Sequence, residues 1–129
     1  MPAVDKANAQ GRSTTLQRVR STRLLVERVA LCAVGGADDG AEAVLGDDAI
    51  TYADVFVVVR EGEAGPGPND WEVTLQTVDD RHVPPGEHDL RLQAMDGSSL
   101  SGRALLRFSD GTRHLFRGDG ELTGFVDAP

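Results

Sequence analysis

Cysteine is almost absent from this 129-residue chain, and Cys32 stands alone. No intramolecular disulfide can form, and a reducing cytoplasm is the compartment a single thiol fits. Long apolar runs are missing too. The stretch 24–34 is broken by Glu27 and Arg28, which leaves only 29–34 uninterrupted. That falls short of the about 7–15 residues of a secretory h-region and of the about 20 of a membrane span. Leu31 also stands where a lipoprotein cleavage site before Cys32 requires a small residue. The expectation is a soluble, cytoplasmic protein. Aromatic residues make up 5% of the chain and do not interleave with its arginines, so stacking of nucleic-acid bases on a sheet is unsupported. Arginine outnumbers lysine twelve to one, which reads as a GC-rich, bacterial genome.

What is present is acidic and ordinary in hydrophobicity: net charge −8, with 40% hydrophobic residues. A chain of this length supports one domain that needs no metal or disulfide to fold. The charge is uneven. Residues 1–30 hold six basic side chains against two acids, +4, whereas 31–129 hold seven arginines against nineteen acids, −12. An acidic body disfavours nucleic acid and anionic membranes. Only the arginines at 18, 20, 23 and 28 offer a local exception.

Three Asp-Gly pairs, at 96–97, 110–111 and 119–120, punctuate the second half. Each separates runs of alternating apolar and polar residues, which predicts type I′ hairpins in an antiparallel meander. Strands are expected over 71–78, 88–95, 99–109, 112–117 and 121–126. In the third, Leu100, Gly102, Ala104, Leu106 and Phe108 face the core while Ser101, Arg103, Leu105 and Arg107 face outward. Residues 50–60 read as a central strand, because 55–59 is apolar on both faces. Residues 61–70 and 79–87 are breaker-rich loops.

The segment 14–34 is ambiguous. Leu16, Val19, Val26, Val29, Ala30 and Ala33 follow a helical stripe, Thr14 and Gln17 fit a capping box, and Gly35-Gly36 fit a stop. A helix is preferred; two strands, over 16–20 and 23–34, are the alternative. The expected fold is thus mainly β: an antiparallel meander closed as a small barrel or β-sandwich, with one N-terminal helix packed on it. Residues 1–13 are expected as a disordered arm and 14–129 as one β-rich domain.

Catalytic and metal motifs are lacking. His82, His88 and His114 form no His-x-His or His-x₃-His pair and read as surface residues at strand ends. The acid pairs at 38–39, 47–48 and 79–80 lie in turns and match no calcium loop. Cys32 reads as a buried, inert thiol, and Ser98, Ser99, Ser101 and Ser109 lie outside any Gly-x-Ser-x-Gly elbow. No cofactor or metal is expected. A small β-barrel enzyme would require a pocket holding His88 or His114 with a carboxylate. The (Asp/Asn)-x-Ser-x-x-Gly motif of cyclic-dinucleotide-binding PilZ barrels is only partly matched by 97–102, where Gly97 replaces the acid. Its companion Arg-x₃-Arg arm is missing, so the chain is not assigned to that family.

Arginines are the remaining lead. Arg91, Arg103 and Arg107 share the polar face of the meander and form the candidate ligand-binding set, with Arg113 and Arg117 on the next strand. Guanidiniums in such an array recognise phosphate or carboxylate in bidentate fashion. Cross-strand pairing with Glu72, Asp89 and Glu121 is the competing reading. Leu105, apolar on a polar face, marks a candidate interface. The functional expectation is a non-catalytic binding or protein-interaction module, with a protein partner or self-association. An anion-binding regulator is the alternative.

Overall fold

The computed structural model describes residues 19–34, 42–62 and 65–126; the expected arm over 1–13 lies outside them. Seven strands run in the order β1 (Val19–Ala33), β2 (Glu42–Leu45), β3 (Ile50–Arg60), β4 (Trp71–Thr77), β5 (Gly86–Ala94), β6 (Ser99–Asp110) and β7 (Arg113–Gly118). All pairings are antiparallel. The spatial order β1-β3-β4-β7-β6-β5 closes through β5 back onto β1, making a six-stranded barrel. β2 continues the line of β3 beyond a turn at 46–49 and pairs with β1 over 29–32. No helix is present among the described residues, and none is long and apolar enough to cross a membrane.

The expected N-terminal helix is therefore replaced by a strand, and by one strand where the alternative reading had two. The cause is a bulge. Register slips between Val26 and Arg28 where β1 pairs with β5, and the extra residue reverses the phase of the side chains. Leu24 and Val26 point inward before the bulge; Val29 and Leu31 point inward after it. The three-residue step from Val26 to Val29 imitates a helical stripe. The same strand closes the barrel, because Val19 to Leu25 pair with β3 and the residues after the bulge pair with β5.

The core fills the barrel with β-branched and aliphatic side chains around one indole. Val55, Val57 and Val59 of β3 face in, while Phe56 and Val58 face out and remain half-buried, so β3 is not apolar-packed on both sides. Trp71 is 1% exposed and donates its Nε1–H to the Gly120 carbonyl at 2.9 Å. Its ring lies over the backbone of β6 and β7 at Gly102 and Gly118, where no side chain intervenes. Full burial of each large apolar side chain contributes about 1.5–3 kcal/mol.

The meander is also revised. β4 pairs with β7, so the loop over 78–85 carries the chain across one end of the barrel to β5. No non-glycine residue among those described has positive φ, which rules out the type I′ turns expected from the Asp-Gly pairs. Met95-Asp96-Gly97 is a three-residue turn in which only Gly97 (φ +96°) is left-handed. Asp96 contributes as an acceptor, taking the Ser98 amide at 2.9 Å. That hydrogen bond, more than any other factor, holds its carboxyl below the ordinary range. In the second turn Gly111 (φ +62°) and Thr112 are the central pair, with positive φ at the first alone, as type II′ requires. The third is a corner and makes no hairpin. Residues 121–126 form no strand; their backbone pairs with the barrel at one bridge, Thr123 to Ser101, while Leu122 is buried in the core and Phe125 packs against it.

A second bulge, between Leu106 and Phe108, corrects the reading of β6. It turns Phe108 from the core to the outer wall, 46% exposed. Leu105 faces outward as expected, between Glu87 of β5 and Arg117 of β7.

Candidate functional site

The bulge in β1 sets Arg28 and Ala30 on the outer wall beside β5. Two cross-strand rows result: Arg28–Gln93–Ser99 and Ala30–Arg91–Ser101. Small side chains at Ala30, Ser99 and Ser101 stand between long ones at Arg28, Arg91 and Gln93. This relief opens a groove of about 380 Å³, walled at one end by Val44 of β2. Among the described residues its lining includes no carboxylate.

Of the expected arginine set, only Arg91 belongs to this groove. Arg103 is directly opposite Asp89, with Nε donating to Oδ1 at 3.1 Å and Nη1 3.9 Å from Glu87. These acids, Asp89 foremost, hold its guanidinium more firmly protonated. Glu87 in turn is pushed above the usual carboxylate range, first by a shared hydrogen bond with Asp119 and less by desolvation. Arg103 thus neutralises an acidic patch. Arg107 sits exposed at the second bulge, four residues and about 13 Å further along the strand. Arg113 lies over the Phe108 ring at 5.7 Å, and Arg117 faces Glu72. The five guanidiniums share a wall but not a site. Arg28 was not legible as a groove residue while 14–34 was read as a helix. Reading β1 as a bulged strand would have placed it.

A second outer cluster surrounds Asp54, a carboxylate only 1% exposed although it faces away from the core. Arg23 Nη1 donates to its Oδ2 at 2.9 Å, and the Tyr52 hydroxyl donates to the same oxygen. The Arg23 guanidinium also lies over the Phe56 ring at 5.2 Å. Arg23 and Arg28 therefore serve different places on β1, and Arg18 lies outside the described residues.

The histidines correct the sequence reading most sharply. Only His82 is on the surface; His88 and His114 are each 1% exposed. His88 Nε2 donates to the Pro84 carbonyl at 2.6 Å, and its ring meets Phe116 edge-on at 5.5 Å. His88 Nδ1 is buried without a hydrogen-bond partner among the described residues. His114 Nδ1 bonds Ser109 Oγ at 2.8 Å, and its Nε2 is buried and unpartnered. Ser109 and His114 have the residue types of a nucleophile–base pair, but among the described residues no carboxylate side chain partners the imidazole, so the triad arrangement is incomplete. Cys32 is half-buried on the outer wall, not in the core. Among the described residues no three His, Cys, Asp or Glu side chains converge as a metal site.

Burial pushes the His114 pKa below its ordinary value, against a smaller opposing pull from the Gly111 backbone. A histidine depressed in the folded state favours folding fully above about pH 6.5 and loses that contribution as pH falls through the lowered value. Urea unfolding is expected to show a lower midpoint at pH 5.5 than at pH 7.5, with the gap reduced in His114→Gln. Equal midpoints at the two pH values would refute this account.

Comparison with protein-family models, with curated proteins and with solved structures finds no match for the chain.

Proposed function

We propose that this chain is a non-catalytic binding module whose β1–β5–β6 groove takes the phosphoryl or carboxylate group of a small anionic ligand. One observation carries the reading. In a chain of net charge −8, the described residues lining this concavity bring two guanidiniums, two hydroxyls and a carboxamide and no carboxylate. Guanidinium forks match planar or tetrahedral oxyanions, and serine hydroxyls donate to the remaining oxygens. The lone cysteine supports a reducing, cytoplasmic setting.

Native mass spectrometry of gently purified protein is expected to show a discrete bound mass. In calorimetric titration with pyrophosphate, Arg28→Ala is expected to weaken binding at least about tenfold, the scale of one charge-assisted hydrogen bond. Arg103→Ala is expected to leave it unchanged, since that guanidinium is engaged by Asp89. Equal loss in both variants would point to diffuse charge and sink the groove reading.

Self-association is the second reading, supported by Leu105 and Phe108, 36% and 46% exposed on the same outer wall. Leu105→Glu is expected to lower the solution mass in light scattering. An unchanged mass would remove Leu105 from any interface.

A further inference from the structure

The groove on the β1–β5–β6 wall has two unlike ends. One cross-strand row runs Val44–Ala30–Arg91–Ser101, from β2 through β1 and β5 to β6. The neighbouring row runs Arg28–Gln93–Ser99. Among the described residues β2 lends the groove Val44 alone.

At the polar end, Arg28 and Arg91 are diagonal neighbours across β1 and β5. Such neighbours have Cβ atoms about 7–8 Å apart, close enough for two long side chains to share one anion. Gln93, Ser99 and Ser101 stand around them. Two guanidinium forks and two hydroxyls offer more donors than the two oxygens of a carboxylate need. The three terminal oxygens of a phosphate monoester match them better. At the other end, Val44 is 57% exposed and half-buried Ala30 is directly opposite it. These side chains form an apolar shelf with no hydrogen-bonding group. A second charge laid there would lose hydration without gaining a partner, whereas an apolar body frees Val44 from water. Neighbouring strands lie about 4.8 Å apart, so Val44 and Arg91 are separated by about 10 Å across the wall. That leaves room for one ring or a short branched chain beside an anionic head.

We infer that the ligand is a phosphate monoester of a small apolar alcohol or phenol. Its phosphoryl group is held between Arg28 and Arg91, and its body lies over Ala30 against Val44. This inference rests on the anion-groove reading above and specifies its ligand.

The test is calorimetric titration of the full chain with three anions. Phenyl phosphate carries head and body, methyl phosphate the same head with almost no body, and benzoate the same ring on a carboxylate. Phenyl phosphate is expected to bind at least about tenfold more tightly than either of the others. Val44→Ser keeps the net charge and changes an exposed position. It is expected to remove most of the advantage of phenyl over methyl phosphate while leaving methyl phosphate affinity as it was, which also shows that the variant is folded. Equal affinities for phenyl and methyl phosphate, an equally tight benzoate, or an advantage that survives Val44→Ser would each overturn the inference. The groove itself would still stand in those cases if methyl phosphate binding is lost in Arg28→Ala. If no anion binds, or if binding survives Arg28→Ala, the groove reading fails and this inference falls with it.

Discussion

Gly118→Ala is expected to destabilise the barrel by about 3 kcal/mol or more, the upper range for overpacking a closed core. A Cβ at Gly118 would stand 2.3 Å from Trp71 Nε1 and 2.4 Å from Cε2. Those distances are far inside contact, and the atoms met belong to a rigid ring. The indole has little room to retreat. Its benzo edge already lies against Gly102, where a Cβ would be 2.7 Å from Cζ2, and its Nε1 is tied to the Gly120 carbonyl. No positive φ is involved at Gly118, so the penalty is one of packing alone. Urea denaturation of Gly118→Ala, Trp71→Leu and the double variant makes the account testable. The double variant is expected to be more stable than the sum of the single losses implies, because the smaller Leu admits the new methyl. Strict additivity would show that Gly118 does not act through Trp71.

Arg23→Met is expected to destabilise the barrel more than Asp54→Asn does, although Asp54 is the buried partner. The asymmetry follows from which group is left behind. Without Arg23, Asp54 keeps one charge in a nearly dry position with only the Tyr52 hydroxyl to answer it. Without the Asp54 charge, Arg23 is already 56% exposed and returns to water, retaining its place over Phe56. Leaving a buried charge unpaired is the expensive arrangement, whereas an exposed cation is cheaply hydrated. Thermal and urea unfolding of both variants and of Arg23→Met/Asp54→Leu checks the sign. The double variant is expected to recover most of the loss. A larger loss for Asp54→Asn than for Arg23→Met would reverse the argument.

The core-facing alternation of β4, β5 and the first half of β6 was legible because a period of two needs no long-range information. Trp71, Val73 and Leu75 point inward as their spacing requires. The acidic charge, the single thiol and the lack of long apolar runs are properties of composition, and no fold alters them. What tertiary structure decided lies at the interruptions of that period. Two bulges, in β1 and β6, reverse the phase of every residue after them until the strand ends. The first turned an apparent helical stripe into the closing strand and brought Arg28 beside Arg91. The second carried Phe108 out of the core. A bulge is imposed by the partner strand's register, which one segment's residues do not encode.

Burial of polar residues was equally beyond the sequence. His88 and His114 occupy alternate, inward positions that look like ordinary polar breaks in a strand, and only barrel closure makes those positions interior. Asp54 faces outward yet is sealed by Arg23 and Tyr52, the first from a strand 31 residues away in sequence. Local pattern therefore determined that this chain would form a twisted antiparallel sheet with one apolar face. The closure of β1 onto β5 determined which polar atoms lost their water.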